Sequence, residues 1–223
     1  MRMVSRFGGN IDWQMSIKGK METALRITLG VCFILSGIMK AVNVYSFAQE
    51  IRLYIEAYMD SCFVQWTVEI AVVICAIETV TGLLALKREY VAVVSVVFLV
   101  IMSFFVWLTS INLFYPSLMG SIESCGCFGE LIHFSPLASF VKSVVLWGMA
   151  IGLILITNDK LQITRISLKE ILTDGKIYAT LVIGALPPLY SYLFFENMEH
   201  GYYLAGYIAL CVFGGILCVT FRD

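Results

Sequence analysis

Six apolar runs, each about the length of a membrane span, constrain this chain more than any other feature. Crossing about 30 Å of hydrocarbon takes about 20 apolar residues at 1.5 Å of helical rise apiece. The runs cover residues 24–42, 64–86, 91–114, 136–157, 177–195 and 203–221, the third inside a charge-free stretch from 90 to 122. They are continuous rather than alternating, so they predict helices and not barrel strands, and only a closed structure satisfies backbone groups in lipid. The composition agrees: 60% hydrophobic residues, 14% charged and a mean hydropathy of +0.87 exclude a water-soluble globule. A formal net charge of -1 leaves no basic surplus for a polyanion, so nucleic acid is not an expected partner. The expected fold is an all-α, polytopic membrane bundle of six spans.

Orientation follows from the basic residues. Residues 1–21 hold four, the Lys87-Arg88 turn two, the 158–176 loop four and the C-terminus Arg222, whereas the opposite side holds Arg52 alone. The positive-inside rule therefore makes both termini cytoplasmic and turns loops 43–63, 115–135 and 196–202 outward. Residues 1–21 lack an apolar core before Ala24 and read as a cytoplasmic tail rather than a cleavable signal. Residues 22–157 form a four-helix unit, 158–176 a surface-lying cytoplasmic loop, and 177–223 a trailing helical pair. The short turn at Lys87 predicts an antiparallel hairpin of spans two and three. Ser135 and Pro136 suit the N-cap and first position of span four.

Five ionisable residues lie within the spans: Arg26, Lys40, Glu69, Glu78 and Lys142. Each is costly in hydrocarbon unless it faces the bundle and finds a partner. Their depths suggest two clusters: Arg26 with Glu78 as a structural ion pair near the inner side, and Lys40, Glu69 and Lys142 near the outer side. The bland alternative for the outer cluster is packing, with Lys40 snorkelling to the headgroups.

Seven cysteines are too few for a disulfide scaffold and odd in number. Cys32, Cys75, Cys211 and Cys218 fall within spans and read as small apolar fillers. Cys62, Cys125 and Cys127 fall in outward loops, where disulfides are permitted. Cys125-Gly126-Cys127 holds two thiols one glycine apart. A bridge across one residue closes a strained ring, which exchanges easily and suits a redox relay better than a staple. Thiolate is the exchanging species, so Lys142 or Lys40 is expected to favour it, Glu69 to relay the proton and Cys62 to act as a resolving thiol. Two alternatives stand beside this: a structural bridge from Cys62 to one member of the pair, and a zinc or copper site from Cys62, Cys125, Cys127 and His133, for which the spacing is atypical. His200 reads as a solvated loop histidine.

The set Arg26, Gly30, Phe33, Ser36-Gly37 and Lys40 in span one, Glu78 and Gly82 in span two, and Cys125-Gly126-Cys127-Phe128-Gly129 followed by Lys142 resembles the methylamine-utilisation protein MauE family, within the wider DoxX-like group of four-helix membrane proteins. The resemblance covers about residues 20–157, with the CGCFG element as its more specific part. It implies a bacterial inner-membrane protein linked to thiol-disulfide chemistry, a candidate thiol-disulfide oxidoreductase. The implied partner is a thioredoxin-like periplasmic protein or a disulfide-containing client. No bound cofactor is implied; spans five and six depart from the four-helix pattern and leave open a quinone-facing surface. Two other readings remain at this level: a non-catalytic membrane scaffold for a thioredoxin-like or secretion partner, and a small-solute transporter, which lacks the expected paired broken helices.

Overall fold

The computed structural model describes residues 4–58, 61–115, 135–163 and 175–194. These are almost wholly helical: α1 (Val4–Val42), α2 (Val44–Tyr58), a 3-10 turn (Ser61–Trp66), α3 (Thr67–Ala85), a second 3-10 turn (Arg88–Tyr90), α4 (Val91–Phe114), α5 (Pro136–Ile163) and α6 (Gly175–Phe194). Five of the helices are long and apolar enough to cross a membrane. The sixth expected span, 203–221, lies outside the described residues. Large apolar side chains point outward on these helices, with Val100 64% and Leu155 69% exposed. Such a surface suits lipid as its surroundings, which makes the chain a multi-pass membrane protein.

Three boundaries differ from the sequence reading. The 1–21 tail is helical from Val4, because no proline interrupts α1. The 158–176 segment gives its first residues, to Ile163, to α5. The 43–63 stretch, expected as a loop, contains α2. There Val44, Phe47, Ala48, Ile51 and Ile55 recur at helical spacing, and all but the half-buried Ile51 are buried against the bundle. The chain turns from α1 into α2 at Asn43, whose Oδ1 accepts the Ser46 N–H at 3.1 Å as a helix cap. The Val44 N–H left over at that break donates to Ser191 Oγ of α6 at 3.2 Å.

The two broadest interfaces join α1 to α3 and α4 to α5; α6 packs mainly on α3. Apolar association has little force within lipid, so close packing has to hold these pairs. Glycine supplies it between α1 and α3. A Cβ on Gly82 would stand 2.7 Å from the Gly30 carbonyl oxygen, and one on Gly37 would stand 3.0 Å from the Cys75 carbonyl oxygen. Neither space admits a side chain. The α3–α4 turn is as short as expected, yet those two helices share a small interface, each having its main partner elsewhere. The register of α4 on α5 is set by two contacts, Trp147 Nε1 donating to Ser103 Oγ at 2.9 Å and the Phe114 and Phe140 rings at 5.8 Å. At the start of α5, Ser135 Oγ accepts the Ala138 N–H at 3.3 Å, the cap its sequence predicts.

Candidate functional site: a buried polar centre

Inside the bundle, Lys40 Nζ of α1 lies 2.5 Å from Glu78 Oε1 of α3, with the two side chains 0% and 2% exposed. Lys40 also sits over the Phe47 ring of α2, 5.1 Å from its centroid, and the Phe105 ring of α4, 5.0 Å from its centroid. Four helices thus enclose one ammonium group, through a carboxylate and two aromatic faces. Snorkelling is excluded by that burial.

Arg26 is not Glu78's partner. Its guanidinium donates through Nη1 to the Ala85 carbonyl, the last residue of α3, whose oxygen has no donor further along the helix. Leu83 and Leu84 oxygens are taken by the Leu86 and Lys87 N–H groups, so Arg26 completes the cap. Its cation also sits at the negative end of the helix dipole. Position along the spans alone puts Arg26 and Glu78 at similar depth, but the glycine contacts set α1 on α3 in a register that matches Glu78 with Lys40. Near Arg26, the buried Glu22 lies 3.7 Å from Arg88.

Beside the Lys40–Glu78 pair is a cavity of about 30 Å³, room for one or two waters. Glu78, Lys142, Ser36, Ser143 and Cys32 line it together with Phe33, Met102, Phe105 and Leu146, and most of its surface is apolar. The second Glu78 oxygen, Oε2, is buried with no hydrogen-bond partner. The cavity takes one wall from each of α1, α3, α4 and α5, so it lies on the axis of the four-helix unit. Cys32, expected as a filler, is a half-buried thiol on its wall, whereas Cys75 is fully buried packing.

The other expected site residues are spread out. Glu69 lies in the first turn of α3 and is exposed, away from the cavity. Cys62 is an exposed free thiol on the first 3-10 turn. Lys142 joins Glu78 on the cavity wall. Cys125, Cys127, His133 and His200, with Cys211 and Cys218, lie outside the described residues. Sequence reasoning missed α2 and the Glu78 cavity. The first had a signal in its i, i+3, i+4, i+7 apolar spacing; the second had one in the three shared glycines, which fix which residues of spans one and two stand level.

The methylamine utilisation protein MauE family model matches residues 18–156, which include every residue that lines the cavity. Comparison with curated proteins and with solved structures gives no significant match. With well over half its length matched, the chain belongs to the MauE family.

Proposed function

We propose that the protein is an inner-membrane thiol-disulfide exchange protein, both termini cytoplasmic, whose Cys125 and Cys127 exchange with thiols of an envelope partner. In the exchange, a thiolate of one protein attacks a disulfide of the other, a mixed disulfide forms, and a second thiol displaces it. One protein ends as the disulfide and the other as the dithiol, so two electrons and two protons pass between them. The partner is a thioredoxin-like periplasmic protein or a disulfide-containing client. Family membership supports the setting, and methylamine utilisation in the family's description need not name this chain's client.

One observation carries the reading. Lys142, fifteen residues after Cys127, is held in the first turns of α5 on the wall of a buried cavity that it shares with Glu78 and Cys32. A cation fixed at that end of α5 favours thiolate in the segment that enters it. Glu78, buried and facing the cavity, is better placed than the exposed Glu69 to manage protons. In cells, Cys125→Ser/Cys127→Ser protein at normal abundance is expected to leave its client's disulfides unformed or misformed. Full client maturation in that variant would make the protein a scaffold instead.

A further inference from the structure

The first crossing of the bundle is a broken helix. Across the antiparallel α1 and α3, Gly30 faces Gly82 and Gly37 faces Cys75. Asn43 therefore stands level with about residue 69 of α3, inside the span Cys62–Ala85. Helix α1 stops just before it, and α2 starts just after it at Val44. Within hydrocarbon, backbone released by such a break has to be satisfied by protein. Asn43 caps α2 through the Ser46 N–H, and α6 supplies the next contacts. Ser191, 0% exposed, accepts the Val44 N–H at 3.2 Å. The Tyr45 hydroxyl donates to the Tyr192 carbonyl at 2.9 Å, and the two rings stack with centroids 6.3 Å apart. Helix α6 is closely seated on α3, where a Cβ on Gly184 would stand 3.1 Å from the Val80 nitrogen.

What α2 covers is specific. Its Phe47 ring lies over the Lys40 ammonium, and Val44, Phe47 and Ala48 close a cluster around the fully buried Cys75 with Ala41 and Ala71. Past the break, α2 rests mainly on α3, and its other face is open, with Gln49, Arg52, Leu53 and Glu56 exposed. Two helices joined through one non-helical residue turn about it readily, because a few terminal φ/ψ angles absorb the change. We propose that α2 is a hinged cover over Lys40 and Cys75, turning about Asn43, and that α6 is the latch that holds it shut through Ser191, Tyr45 and Tyr192. Opening withdraws Phe47 from the ammonium while Glu78 and Phe105 stay beside it. This gives a task to α6, which lies beyond the family match at 18–156: it sets how often the centre of the four-helix unit is uncovered. The motion transfers no electron or proton, and it does not depend on the thiol exchange proposed above.

Cys75 reports the cover in the full chain in bilayers. In protein whose only cysteine is Cys75, the rate of reaction with a small uncharged maleimide follows the fraction of time that α2 stands open. Tyr45→Phe/Ser191→Ala removes both latch hydrogen bonds and is expected to raise that rate roughly 10–30-fold. Tyr45→Phe alone keeps the stacked ring and is expected to raise it roughly fivefold, so the test survives if the double variant fails to fold. The control is Ser95→Cys in an otherwise cysteine-free chain, a position 0% exposed on α4, where the same latch substitutions are expected to leave the rate unchanged. An unchanged Cys75 rate means that α6 does not hold α2, and an equal rise at position 95 means that the whole bundle loosens. Either result overturns the proposal.

Discussion

Glu78 binds Lys40 and not Arg26: one carboxylate oxygen holds the ammonium at 2.5 Å while both side chains are almost wholly buried. The pair ties α1 to α3 at one level, and Phe47 and Phe105 bring α2 and α4 to the same ammonium. Glu78 also lines the cavity enclosed by α1, α3, α4 and α5.

Removing one partner of this pair strands the other. Lys40→Met or Glu78→Leu alone is expected to cost about 3–5 kcal/mol, with the double substitution costing less than the sum of the two. Unfolding of the four proteins in mild detergent, read as a double-mutant cycle, gives the coupling. Strictly additive losses would mean that the contact contributes no stability.

The α1–α3 interface allows a sharper contrast. Gly82→Ala places a methyl against the Gly30 carbonyl and is expected to destabilise by about 1–3 kcal/mol. Gly148→Ala meets open space on α5 and is expected to be neutral or slightly stabilising. Thermal unfolding of both variants checks the pair, and equal effects would contradict the close approach.

Much of this was legible in the sequence, because span length and charge placement are properties of local composition. Span three was expected at 91–114 and α4 occupies Val91–Phe114; no charge or proline competes within it. The Ser135 cap was legible for the same reason, one side chain acting on backbone three residues away. The Lys40–Glu78 contact was not. Since Lys40 and Arg26 stand about four turns apart on α1, it depends on how far one helix slides along another. That distance is set by Gly30, Gly37 and Gly82, whose absent side chains carry no signal in hydropathy. The helix α2 was hidden differently: charges Glu50, Arg52 and Glu56 made an amphipathic segment look like a loop, although Arg52 and Glu56 pair at 2.7 Å as i, i+4 neighbours on its open face.

Arg26 is expected to act as a cap. Arg26→Met leaves the Ala85 carbonyl buried without its donor and is expected to cost about 1–3 kcal/mol. Hydrogen exchange should quicken in the last turn of α3 and through the Arg88–Tyr90 turn, with α4 beyond it unchanged. Uniform loss of protection across the bundle would assign Arg26 a wider role.

Orientation is checked by accessibility. In spheroplasts, an impermeant maleimide is expected to label a variant whose only cysteine is the exposed Cys62, and to leave one retaining only the buried Cys75 unlabelled. Labelling of Cys62 only after the membrane is opened would reverse the orientation.

The most direct measurement of the central claim is a covalent one. With Cys127→Ser and, separately, Cys125→Ser protein expressed in cells, thiols are trapped by rapid acid quenching and species sensitive to reductant are isolated on the full chain. The expected result is one defined mixed disulfide with an envelope thiol protein, formed by one of the two variants and absent from the double variant. If neither variant yields a mixed disulfide while client maturation proceeds normally, the paired thiols do not exchange and the account is wrong.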